Sequence, residues 1–184
     1  MIATPHLLHR GAAAEWWLDL QPDPARGRPG DRAALARLRR CASVGEAMLV
    51  PATIALFRRC GATGPADLPA IGLAAAVLAH VRADAPGQSV ARQLGPDQPD
   101  KPETAILKPL RFRRVIEAGT QDERLIALRR LVALAGSSLN LRDLADALLD
   151  WTDSRRQRWV YDYWNAGQVS ARAAEVTVVK ETAA

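Results

Sequence analysis

The chain has 184 residues, 48% of them apolar and 24% charged, an ordinary globular makeup with length enough to bury a real core. Its formal net charge is +5, and arginine supplies 22 of the 25 basic side chains, a bias toward planar forks that match phosphate oxygens. Two cysteines are too few for a disulfide framework, and no uncharged apolar run approaches the ~20 residues that a bilayer requires.

Read in chain order, the pattern is helical nearly throughout. "MIATPHLLHRG" lacks the apolar core of a secretory signal, which points to a cytoplasmic protein. A first helix is expected over 6–20, carrying Trp16, Trp17 and Leu20, followed by the Pro/Gly loop "QPDPARGRPG". Asp31 caps a second helix to Arg40. Ser43 opens another, which Pro51 breaks or restarts before Gly61. Residues 66–83 are apolar almost all round, the mark of a central, buried helix. The Pro-rich stretch 86–108 holds at most a short helical turn at 88–94 and is a candidate hinge between two lobes.

Helices resume at 109–118, 121–136, 141–150 and 154–166, with Thr120 and Glu123 spaced as a capping box and Asn140 near the start of the third. The tail 167–184 is weakly patterned; "EVTVV" within it is the one stretch with the alternation of a strand. The fold expected is all-α, a bundle of about eight helices over 1–166.

Helical spacing gives the arginines direction. In "GDRAALARLRRC" the apolar face is Ala34, Leu35, Leu38 and Ala42, with Arg32, Arg37, Arg39 and Arg40 opposite and Arg26 and Arg28 in the loop before. In "LRFRRVIEAG" the core face is Phe112, Val115 and Ile116; Arg113 and Arg114 point away, flanked by Arg111 and Lys108. The next helix buries Leu125, Leu128, Leu131 and Val132 and leaves Arg129 and Arg130 outside, with Ile126 and Leu134 also on that outer side. Few acids sit at i,i+4 to neutralise 26–40 and 108–114. Crowded guanidinium groups repel, and a phosphate chain relieves the repulsion with binding that is sequence-blind and salt-sensitive. No helix carries the Asn, Gln and Arg set of a major-groove reader. A helical adaptor meeting acidic protein surfaces is the competing reading, and a sequence-specific regulator the third.

Catalytic chemistry finds little footing. His6 and His9 are one turn apart but lack further ligands for a metal, and His80 reads as a hydrogen-bonded interior residue. Cys41 and Cys60 read as half-buried free thiols. Asp143, Asp146, Asp150 and Asp153 line one helical side, read as an exposed acidic face or a complement to a neighbour's arginines. Trp151 and Trp159 are placed to pin the last helices together. The sequence offers no catalytic residue, cofactor or small-molecule substrate.

The succession "WWLDL", "GDRAALARLRR", "LRFRRVIEAGTQDERLIALRRLVALAG" and "LADALLDWTDSRRQRWVYDYW" resembles the CasB family, the small subunit of the type I-E CRISPR complex Cascade. The resemblance implies a helical, non-catalytic subunit present in two copies beside other Cascade subunits. It implies contact with the backbone of guide RNA and target DNA, including the displaced strand of the R-loop. Carried onto this sequence, the implied contacts are Arg32, Arg39, Arg40, Lys108, Arg111, Arg113, Arg114, Arg129 and Arg130, with Arg155, Arg156 and Arg158 as a further basic cluster.

Overall fold

The computed structural model describes residues 9 and 11–167. The described part is all-α, with ten α-helices: α1 (Gly11–Leu20), α2 (Arg32–Arg40), α3 (Val44–Met48), α4 (Pro51–Arg59), α5 (Leu68–Leu78), α6 (Val90–Leu94), α7 (Pro109–Glu117), α8 (Gln121–Leu134), α9 (Leu141–Leu149) and α10 (Asp153–Tyr163). Ten exceeds the expected eight because Pro51 splits one predicted helix into α3 and α4, and the turn near 90 is a true helix. His6, the tail strand "EVTVV" and the start of the expected first helix lie outside the described residues.

The ends are set by local chemistry. Asp31, Ser43, Ser89, Thr120, Asn140 and Thr152 each accept a backbone N–H from the first turn of the helix that they open, satisfying donors that would otherwise be orphaned. Thr120 and Glu123 form the expected capping box. Proline occupies the first turn of α4, α5 and α7, where its missing N–H costs nothing.

Helix α5 is the axis. Every side chain from Ile71 to Ala79 is fully or almost fully enclosed, and α2, α3, α4, α8 and α9 all pack on it. A helix apolar on all sides must be surrounded, and this one is. Trp16 and Trp17 on α1 are buried and donate their indole N–H groups to the carbonyls of Ala52 (3.0 Å) and Val81 (3.2 Å).

The 86–108 segment is stitched into the same core: Val90, Ala91, Leu94, Ala105 and Leu107 are buried. Gly95 passes so close to α10 that a Cβ there would stand 2.1 Å from the Tyr163 carbonyl oxygen. Tyr163 stacks on Phe112 with ring centres 3.9 Å apart, and its hydroxyl donates to the Leu107 carbonyl at 2.6 Å. The end of α10 is thereby fixed against the start of α7.

Two strands of two residues each, β1 (Ala83–Asp84) and β2 (Ser138–Leu139), pair in parallel. They are too short to show alternation in sequence. Asp84 reinforces the pair by accepting from the Leu141 N–H at 2.9 Å. No described helix is long and apolar enough to cross a membrane.

Candidate functional site

Two basic surfaces emerge, joined by one residue. On α7, Arg111 and Arg114 stand one turn apart beside Leu107; on α8, Ile126, Arg130 and Leu134 follow at i,i+4 spacing. The rows face each other across a groove of about 400 Å³ with Val115, Ala118 and Ala127 at its base. Arg111, Arg114 and Arg130 are exposed there, and among the described residues no carboxylate lies at ion-pair distance from any of them. The acids beside the groove are already engaged. Glu117 pairs with Arg113 at 2.7 Å. Glu123 accepts from the Gly119 and Thr120 N–H groups at 2.9 and 3.0 Å, bonds that hold its carboxyl below the usual range.

The second surface is α2, where Arg32, Arg37 and Arg40 are exposed and likewise lack a carboxylate partner among the described residues. Arg32 adjoins a recess shared with Arg28, Pro24 and Pro29. The joint is Arg129: from α8 it donates to the Leu38 and Cys41 carbonyls at the end of α2, at 2.9 and 2.5 Å. Arg130, its neighbour in sequence, lines the α7–α8 groove instead.

Several expected contact residues have internal duties instead. Arg129 is one, its guanidinium pulled below its ordinary pKa by burial. Arg39 donates to the Ala79 carbonyl at the end of α5 at 2.6 Å. Lys108 donates to the Glu103 carbonyl, yet stays exposed. In the third cluster Arg155, Arg156 and Arg158 face Asp146 (3.9 Å), Asp153 (2.5 Å) and Asp162 (3.1 Å), so each of them is locally compensated.

The expected acidic face is therefore not a uniform exposed surface. Asp143 is half-buried and accepts from the Val90 N–H at the start of α6 at 2.8 Å; burial raises its pKa against the effect of that bond. Among the described residues no group of acids, histidines or cysteines could hold a metal.

A recess that spacing could not reveal lies between α1 and the loop after it, where Arg26, Arg28, Arg59 and Arg82 gather with Trp17 and Gln21. Asp19 stands between Arg59 (2.7 Å) and Arg28 (3.6 Å), and Asp23 faces Arg26 (3.7 Å). The acids that offset this loop cluster come from the tertiary fold as well as from i,i+3 neighbours.

Two interior features stand out. His80 is half-buried, and burial with the charges of Arg129 and Arg39 pulls its imidazole down to about 4; its Nε2 has no hydrogen-bond partner among the described residues, contrary to the bonded interior histidine expected. Arg124 is buried, its guanidinium 5.2 Å from the Trp151 ring centre and its Nη2 3.4 Å from the Ala147 carbonyl. Burial, and then the nearby Arg156, lower it to about 10. Trp151 and Trp159 meet edge to face at 5.1 Å, the expected pin between α9 and α10.

No curated protein matches this chain. Among solved structures, it is similar to a chain in the crystal structure of E. coli Cascade bound to a PAM-containing double-stranded DNA target, with 22% identity and a TM-score of 0.60 over 85% of this chain and 94% of that one. Residues 34–164 match the family of CRISPR-associated protein Cse2. That span runs from inside α2 through α10 and takes in the α7–α8 groove together with Arg37 and Arg40, but not Arg32, and the chain belongs to the Cse2, or CasB, family.

Proposed function

We propose that the chain is a non-catalytic small subunit of an RNA-guided CRISPR surveillance complex, where its arginine surfaces hold nucleic-acid backbone and stabilise the R-loop. Its partners on this reading are the other subunits of a cytoplasmic Cascade-type complex, a second copy of itself, guide RNA and target DNA. The observation that carries the reading is the convergence of Arg111, Arg114 and Arg130 from two helices on one groove, uncompensated by any described carboxylate. Family membership and the shared fold support the same assembly.

In such a complex guide pairing supplies sequence specificity, so the protein need only neutralise and track phosphates. Arg32, Arg37 and Arg40 on α2 extend the track beyond the groove, with Lys108 and Arg113 at its α7 side. Arg113 pairs with Glu117 through its Nε alone, so its terminal nitrogens can reach a phosphate with that exposed pair in place. Arg39 and Arg129 take the role of supports rather than contacts.

The test is affinity for random-sequence DNA and RNA over a salt series, for the native chain and an Arg114→Glu, Arg130→Glu variant. The expected result is sequence-indifferent binding that weakens steeply with salt and drops in the variant. Binding untouched by that double reversal overturns the assignment of the groove, and no binding at all favours a protein adaptor.

A further inference from the structure

The α7–α8 groove contains more than phosphates can use. Its base and rims are aliphatic, with Leu107, Val115 and Ala127 beneath and Ile126 and Leu134 left 49% and 38% exposed. Phosphate oxygens gain nothing against such a surface and lose water there. Exposed aliphatic groups bounding a recess mark a place where something apolar is covered.

We propose that the groove binds a nucleobase: an unpaired base of a single strand packs on Val115, Ile126 and Leu134 while its flanking phosphates meet Arg111, Arg114 and Arg130. The inference rests on the backbone-binding reading above and names the ligand more narrowly, as a single strand with a base turned inward. A nucleotide carries a flat, weakly hydrated face and a charged backbone on one side, and the groove presents a matching division. Its volume of about 400 Å³ lies in the range of small-ligand sites. The planar guanidinium groups can also lie over a base face, which adds to the aliphatic packing.

Single strands are selected because a duplex keeps its bases stacked inside and shows only its backbone to the rim. Glu117 and Glu123 do not repel the strand as free acids would, since Arg113 and two backbone N–H groups already hold them. An acidic protein helix would suit the arginines, but carboxylates offer nothing to cover the exposed Ile126 and Leu134 side chains.

The experiment measures affinity of the full chain, by fluorescence anisotropy, for three probes of about 20 nucleotides: oligothymidylate, an all-abasic strand and a duplex. Oligothymidylate is expected to bind about tenfold tighter than the abasic strand, as loss of one good base contact would give. Ile126→Ser and Leu134→Ser, both at exposed positions, should each bring oligothymidylate toward the abasic level. Equal affinity for the base-bearing and abasic strands overturns base insertion while leaving the backbone reading in place. Failure of every probe to bind overturns both. A glutamate-rich helical peptide that competes as well as oligothymidylate overturns the nucleobase in favour of a protein occupant.

Discussion

The guanidinium of Arg129 lies 2.5 Å from the carbonyl oxygen of Cys41, and its other terminal nitrogen takes the Leu38 carbonyl at 2.9 Å. A cation at the last carbonyls of a helix satisfies acceptors that the helix cannot and complements its dipole. Arg129→Ala should therefore cost about 2 kcal/mol of folding stability, the usual loss for charged hydrogen bonds of this kind. Arg130→Ala, next to it but facing the groove, should change stability by less than about 0.5 kcal/mol. Urea denaturation of the two variants decides the matter; equal midpoints would deny Arg129 its structural role.

The groove arginines predict a number as well as a direction. Each phosphate contact to a single strand contributes about 0.7 to the slope of log affinity against log salt. Removing Arg111, Arg114 and Arg130 together by alanine should flatten that slope by about 2 while leaving the helical circular dichroism intact. A slope that stays as steep as the native one would place the contacts elsewhere.

His80 predicts a pH dependence. In the unfolded chain its imidazole titrates near 6.5, and in the fold it is pulled to about 4. Between those values the unfolded state holds more protons, so this residue's contribution to stability is present above pH 6.5 and is lost as pH falls toward 4. For a half-buried group the loss is on the order of 2 kcal/mol after solvent screening. Asp143, whose pKa is raised, acts in the opposite sense, so the readout is the difference between the native chain and His80→Asn. Parallel stability profiles between pH 7 and 4.5 would contradict the depressed imidazole.

Among the described glycines Gly95 leaves the least room for a side chain, and a methyl group there would sit 2.1 Å from the Tyr163 carbonyl oxygen. The opposing atom is backbone, so α10 must shift, at a cost of about 3 kcal/mol. Gly95→Ala should lower the melting temperature by several degrees and loosen the stacking of Phe112 on Tyr163, visible as a change in near-ultraviolet circular dichroism. An unperturbed melt would mean that α10 yields freely.

Most of the helices were legible because period and caps agreed: Asp31, Ser43, Thr120 and Asn140 each open the element that their position announced. The burial of α5 followed from its all-round apolar face. The candidate site was legible only in part. Spacing showed that Arg129 and Arg130 both avoid the buried stripe, but not that one grips α2 while the other stays exposed, because that depends on what packs alongside. Asp143 looked like one member of an acidic row, yet its partner, the Val90 N–H, is 53 residues away in sequence. Arg59 and Arg82 belonged to no cluster until the fold brought them to Asp19 and the loop after α1.

Helix α5 has no wetted side, and two of the helices that enclose it, α8 and α9, are encoded more than forty positions after it ends. On the ribosome the first half of the polypeptide therefore emerges with a greasy rod that it cannot shelter. Truncations ending before α8 should precipitate rather than yield a smaller soluble domain.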